Sequence, residues 1–394
     1  MPSHVMNTYA RLPVSFTHGK GVWLWDEAGR RYLDALAGIA VSGLGHAHPA
    51  IVGAIADQAA RVIHTSNLYG IPLQERLADR LCELARMDEV FFCSSGAEAN
   101  ECAIKLARLY GHRKGIASGA IVVMEHAWHG RTLATLSATG NRKAQAGFEP
   151  LVPGFVRVPY NDAQAVRHVA EHNRNVVAVL VEVLQGEGGI RVADPGYVRF
   201  LRQICDERGW LLMIDEVQSG MGRTGKWFAH QWADVVPDVM PLAKGLGSGM
   251  PIGACLAAGP AAGVFQPGNH GSTFGGGPLA CAAGLATLDA MQADRLVEHA
   301  AAMGERIRAG LAEALGSFAG VADIRGKGLM IGIELDRPCG ALVNEALAAG
   351  LLLNVTAERV VRLLPPLVIG AAEADELVAR LAPLVRAFLA RPAD

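Results

Sequence analysis

Neither sign of charge is in excess in this chain. It carries 36 lysines and arginines against 38 aspartates and glutamates, a formal net charge of −2 over 394 residues. Without a basic surplus there is no electrostatic footprint for a nucleic acid. No long apolar run is free of glycine-rich or polar breaks, so no membrane span is expected. Cysteine is sparse, seven in all. An odd number without paired spacing argues for free thiols in a reducing compartment, and a cytoplasmic protein is expected. Residues 1–6 lack the charged-then-apolar order of an export signal. Lysine is sparse too, seven against 29 arginines. What the chain has is apolar content, 51% of its residues, and enough length for two domains.

The scarcity of lysine draws attention to Lys244, which follows a short apolar run and precedes the turn Gly245-Leu-Gly-Ser-Gly249. An ammonium at the end of a buried strand loses solvent, and its neutral form can condense with an aldehyde. A solvated lysine is the commoner case for such a segment alone. Upstream, Trp210-Leu-Leu-Met-Ile-Asp215 is five apolar residues and then an acid. That is the pattern of a buried parallel strand with a carboxylate at its C-terminal end, where open α/β sheets bind ligands. Asp215 is either a cap or ion-pair partner, or the acid that faces a protonated ring nitrogen. Residues 89–100 run from a strand through Ser94-Ser95-Gly96-Ala97 into a helix expected over 97–112. Hydroxyls, a glycine and free N–H groups there make an anion site, though a serine N-cap has the same signature. Trp128, in a polar exit after another strand, is either core or a plate for a flat ring.

Two other patterns carry less. Gly220-Met-Gly222-Arg-Thr-Gly225 has dinucleotide spacing, but Lys226-Trp227-Phe is a poor helix start, and a P-loop needs Ser or Thr where Trp227 stands. The pairs His46/His48 and His126/His129 have no cysteine or carboxylate at ligand spacing and read as structural, with no metal expected.

Six segments in order resemble the class III, pyridoxal 5′-phosphate (PLP)-dependent aminotransferases over nearly the whole chain. They are Ser95-Gly-Ala-Glu-Ala-Asn100, His129-Gly-Arg131-Thr, Gln185-Gly-Glu187-Gly-Gly, the stretch from Ile214-Asp215 to Gly225, Ala243-Lys244-Gly-Leu-Gly and Gly271-Ser272-Thr273-Phe-Gly-Gly. The resemblance implies a PLP cofactor bound by Lys244 at its aldehyde carbon and by Asp215 at its pyridine nitrogen. It implies Gln218 at the phenolic oxygen, Val217 on one ring face and Trp128, in place of the usual Phe or Tyr, on the other. Ser95, Gly96 and Ala97 match the phosphate turn. Thr273 matches a threonine that reaches the phosphate from a neighbouring subunit, so a homodimer is implied. Arg131 and Arg362 match two substrate-carboxylate arginines, Glu187 matches the acid that pairs with Arg362, and Ser272 falls in the substrate-binding segment.

The fold so implied is the α/β, aspartate-aminotransferase type of PLP-dependent transferase. Residues 51–276 would form a large domain with a mostly parallel sheet, and residues 1–50 with 277–394 a small α+β domain. The residues themselves read compatibly. Strands are expected at 90–93, 121–124, 155–158, 176–183, 211–214 and 252–257, alternating with helices. The clearest helix starts at Asp194-Pro195 and ends at Gly209. A hairpin is expected over 21–34, a pair of strands over 321–335, and helices over 341–349 and 373–389. Family members move an amine from a chain end. Ornithine-specific ones carry a tyrosine where this chain has Ile39. An apolar residue suits an acylated nitrogen, so N2-acetyl-L-ornithine with 2-oxoglutarate as acceptor is expected. Succinylornithine, succinyl-diaminopimelate, ornithine and 4-aminobutyrate are the alternatives.

Overall fold

The computed structural model describes residues 4–392. Residues 1–3 and 393–394, which belong to the N-terminal reading and to the two small-domain segments, lie outside the described residues. Seven strands form the central sheet, in the order Glu89–Cys93, Gly253–Ala257, Val239–Leu242, Leu211–Ile214, Val176–Val181, Ala120–Met124, Phe155–Val158. Gly253–Ala257 runs antiparallel to both its neighbours and the remaining pairs are parallel. The strands are almost continuously apolar because helices cover both faces. Every residue of Val176–Val181 and Leu211–Ile214 is buried.

Five of the six expected strands agree with the structure to within one residue at either end. The sixth, expected over 176–183, stops at Val181, because Glu182 turns its carboxylate onto backbone N–H groups of the loops beside the sheet. The helix Pro195–Arg208 has the expected bounds: Asp194 Oδ1 accepts from Gly196 N at 2.6 Å, Pro195 fills the first position, and Gly209 closes it with φ +63°. Its buried face includes Val198, and Phe200 is only half-buried. The helix that follows the serine turn spans Gly96–Arg113.

A second, four-stranded sheet joins Phe16–Lys20, Trp23–Asp26 and Arg31–Asp34 to Leu351–Leu352, through the parallel pairing Leu33↔Leu351. A third contains Val321–Lys327, Met330–Leu335, Val360–Leu363 and Asn354–Thr356. Strands 351–363 were not foreseen in the sequence; they are short, and Asn354 and the charged turn Ala357-Glu358-Arg359 interrupt their apolar pattern. They matter, because Val360–Leu363 carries Arg362. One apolar cluster runs from Leu33 and Leu44 through Met240 and Leu242 to Leu363 and Leu381, so the N-terminal segment, the central sheet and the C-terminal third share a core. All seven cysteines are free thiols.

Candidate active site

The parallel strands end on one edge of the central sheet, and the loops leaving those ends enclose a cavity of about 610 Å³. Ser94, Ser95, Gly96, Ala97, Trp128, Arg131, Asp215, Val217, Gln218 and Lys244 all line it. Residues up to 150 positions apart in sequence therefore meet at one place, because each stands just beyond a strand end.

Asp215 follows Leu211–Ile214 and is buried. Both its oxygens are committed. Oδ2 accepts from Asn100 Nδ2 at 2.8 Å and lies 2.8 Å from His129 Nδ1, while Oδ1 accepts from Val217 N at 2.9 Å. These bonds fix the carboxylate's direction. Beyond His129 stands Glu182, just past the C-terminal end of the next strand. Its Oε1 accepts from Trp128 N at 2.8 Å. Burial pushes the Glu182 carboxyl up to about 7, opposed by His129 and reinforced by Asp215. Asn100, His129 and Glu182 thus belong to the site. The reading of His129 as merely structural is corrected: its ring is packed against the acid. Glu182 was detectable, since it ends an apolar strand in the same way as Asp215. His46 conforms to the structural reading, with Nε2 2.8 Å from Asp34 Oδ2.

At the opposite wall, Ser95 caps the helix Gly96–Arg113, its Oγ accepting from Glu98 N at 3.2 Å. Glu98 Oε2 in turn accepts from Ser94 N at 2.6 Å. Gly96 and Ala97 are the first helical residues, whose N–H groups have no intrahelical acceptor. An anion at this end faces those donors and the positive end of the helix dipole. Glycine is required at 96: a Cβ there would lie 2.6 Å from Val217 Cγ1. The close approach seats Val217 directly beside the anion turn.

Lys244 follows the strand Val239–Leu242 and begins a short 3-10 turn with φ +45°, a strained position for a residue with a Cβ. Burial lowers the pKa of its ammonium; the Glu187 carboxylate opposes that and the Arg362 guanidinium adds to it. A lysine with a depressed pKa at the floor of a cavity is a nucleophilic amine. Strain recurs at the turn 37–40, where four successive residues have φ between +50° and +66°. That turn delivers Val41 to the cavity wall. Ile39, the position read for substrate choice, packs instead against the cluster of Leu184, Ile190, Met330 and Leu364.

Arg131 is exposed at the mouth, its guanidinium carbon 4.7 Å above the Trp128 ring. Arg362 is fully buried one layer behind the cavity. Its Nη1 donates to Glu187 Oε1 at 2.5 Å and to Gln218 Oε1 at 3.4 Å, its Nε to Asn354 Oδ1 at 3.0 Å, and its Nη2 has no partner. Ser272 and Thr273 are not in this cavity. They line a neighbouring one that shares Ser94 with it, on the outer side of the anion turn. The glycine-rich stretch 220–225 is no nucleotide turn: it leads into the short 3-10 helix Ala229–Trp232, and Arg223 Nη1 within it donates to Leu329 O at 3.1 Å.

A reactive amine, a fixed acid, an anion turn and Arg131 around one cavity, with Arg362 buried behind it, form the donor set of a ring-bearing aldehyde phosphate. The aminotransferase class-III family model matches residues 5–385. The chain is a class-III aminotransferase. It is 63% identical over 99% of its length, and all of the relative's, to acetylornithine aminotransferase 1 of Bordetella bronchiseptica. Among solved structures, the ornithine aminotransferase of Toxoplasma gondii superposes with a TM-score of 0.94 at 34% identity, covering 98% of this chain and 93% of the other. The acetylornithine aminotransferase of Elizabethkingia anophelis gives 0.86 at 34% identity, with 97% and 96% covered. The fold is therefore the PLP-dependent transferase fold, and PLP is this enzyme's cofactor. The residues fit it. The unpaired polar atoms around the cavity, Asn100 Oδ1 and His129 Nε2, belong to a network already organised around Asp215.

Proposed function

We propose that this aminotransferase moves the terminal amine of N2-acetyl-L-ornithine to 2-oxoglutarate, giving N-acetyl-L-glutamate 5-semialdehyde and L-glutamate, in arginine biosynthesis. The 63% identity to a protein of that name over the full chain carries this reading. The apolar Val41 on the cavity wall supports an acylated rather than a charged nitrogen. Steady-state kinetics over a panel of amine donors tests it. N2-acetylornithine should have the highest kcat/KM; a higher value for ornithine or 4-aminobutyrate overturns the assignment.

In this reading the bound PLP acts as an electron sink for the carbon that loses its proton. Lys244 would hold the cofactor's aldehyde carbon until the substrate's amine takes its place there, and the Nζ so released would take and return the proton. Asp215, fixed by Asn100, His129 and Val217 N, would keep the ring nitrogen protonated. The helix end at Ser95, Gly96 and Ala97 would take the phosphate, Val217 and Trp128 would pack against the ring, and Gln218 would bond its oxygen. Arg131 takes the carboxylate remote from the reacting carbon. Glu187 neutralises Arg362 while the monocarboxylate donor is bound, then gives way to the α-carboxylate of 2-oxoglutarate or glutamate.

A cytoplasmic homodimer completes the reading. Ile63, Leu68, Tyr69 and Phe274 are all more than half exposed. Asn67 Nδ2 donates to Ser272 O and Gly275 O at 3.0 Å, tying two apolar loops into one surface. An apolar patch of this kind suits a subunit interface, and it would carry Thr273 to the partner's phosphate turn. Ser272 keeps a substrate-binding role there. The division into a small domain of residues 1–50 with 277–394 and a large one of 51–276 is part of the same proposal. A sedimentation mass of one chain at micromolar concentration would rule the dimer out.

A further inference from the structure

A second cavity of about 590 Å³ adjoins the catalytic one: Trp128 lines both, and Glu187, the partner of Arg362, lines the second. Its walls carry five lysines and arginines against three glutamates, a balance of +2 in a chain whose net charge is −2. Three of the five cations are ion-paired: Lys143 with Glu358, and Arg325 and Arg359 with Glu334. Arg142 and Arg191 have no carboxylate partner among the described residues and are exposed. They approach from different elements, Arg142 from the short helix Arg142–Gln145 and Arg191 from the strand Arg191–Val192. Burial, and after it the charge of Arg191 on the same wall, lowers the pKa of His126 below the ordinary imidazole value.

Unpaired guanidinium groups at the mouth of a site attract anions and raise their local concentration. The two substrates differ sharply in that respect. N2-acetylornithine has one carboxylate and one ammonium and is neutral overall, whereas 2-oxoglutarate has two carboxylates. We propose that this groove is an outer subsite for dicarboxylates, in which Arg142 and Arg191 hold the acceptor before it enters the catalytic cavity. The inference rests on the assignment of 2-oxoglutarate as acceptor. It adds a determinant of acceptor preference that lies outside the cavity.

The test uses the PLP-loaded enzyme and a double variant, Arg142→Gln with Arg191→Gln. Glutarate, a dicarboxylate that cannot react, serves as the binding probe, alongside the KM for 2-oxoglutarate and for the amine donor. Losing two exposed guanidinium–carboxylate pairs should weaken glutarate and raise the 2-oxoglutarate KM about fivefold at low ionic strength. The difference should shrink below about twofold at 0.5 M salt, with kcat and the donor KM unchanged. Glutarate affinity and acceptor KM both within twofold of wild type at low salt overturn the subsite. An equal rise in the donor KM overturns it too, since that marks a general disturbance of the mouth. If the wild type fails to use 2-oxoglutarate at all, the acceptor assignment falls, while glutarate binding still reports on the groove.

Discussion

Removing the Glu187 carboxylate gives the sharpest test of how one cavity serves two unlike substrates. Arg362 is wholly buried, and among the described residues Glu187 is its only carboxylate partner, at 2.5 Å, with the Glu187 side chain 29% exposed. Two unit charges about 4 Å apart attract by about 4 kcal/mol at the effective dielectric of a protein surface. Partial exposure of Glu187 brings a working figure of about 2 kcal/mol. In the wild type, glutamate must displace Glu187 to reach Arg362 and forfeits that attraction; N2-acetylornithine leaves the pair alone. In Glu187→Ala the arginine is unpaired both before and after N2-acetylornithine binds, so that reaction gains nothing. Glutamate gains the whole pairing. At about 1.4 kcal/mol per factor of ten, the ratio of specificity constants should move toward glutamate by tenfold or more. Single-turnover half-reactions of the PLP-loaded enzyme with each amine measure it. Glu187→Gln, which keeps a hydrogen-bond acceptor without the charge, should fall between. A buried unpaired arginine also costs stability, so thermal unfolding must show that the variants are folded. A ratio within twofold of wild type in folded Glu187→Ala refutes the displacement argument and leaves the pair as a structural contact.

Lys244→Ala should abolish turnover while keeping the fold and some cofactor binding; borohydride labelling of another lysine in the wild type would contradict the role. Asp215→Asn should lower the rate about a thousandfold, roughly 4 kcal/mol of transition-state stabilisation, and near-normal kcat would exclude the acid's role. Arg131→Lys should raise the KM of donor and acceptor together, since a lysine keeps the charge but loses the fork that stacks on Trp128; an effect on only one of them would show that they do not share the residue. Glu182 gives a stability signature. Its folded pKa of about 7 lies above the ordinary 4.5, so as pH rises through that window the unfolded chain releases a proton that the folded chain keeps, and folding weakens. Glu182→Gln should remove up to about 3 kcal/mol of that pH-dependent loss, gaining on the wild type between pH 4.5 and 7 and showing no further gain above; denaturant unfolding across that range, with parallel curves as the failing result, checks it.

The strands and the residues just past their ends were legible in the sequence because both signals are local. An apolar run stops at an acid or a lysine where a buried strand meets solvent, and that edge is where an α/β sheet binds its ligand. Lys244, Asp215 and the turn Ser94–Ala97 each carry the mark. So does Glu182, whose significance was hidden because a strand-end acid has several bland explanations until its neighbours are known. The helix Pro195–Arg208 was legible to its last residue, since its cap, first-position proline and closing glycine all act within one turn. Tertiary structure alone decided the rest. That His129 lies on Asp215 depends on two loops 86 residues apart. The resemblance anticipated that Arg362 pairs with Glu187, but its reach to Gln218 depends on a four-residue strand in a separate sheet, too short for any period to announce. Turn 37–40 faces Val41 into the cavity and Ile39 away from it, because left-handed φ angles reverse the side-chain directions that an ordinary turn would give. Local sequence sets where an element begins and ends, but which side chains share a cavity is a property of how distant elements pack, and no neighbouring residue encodes it.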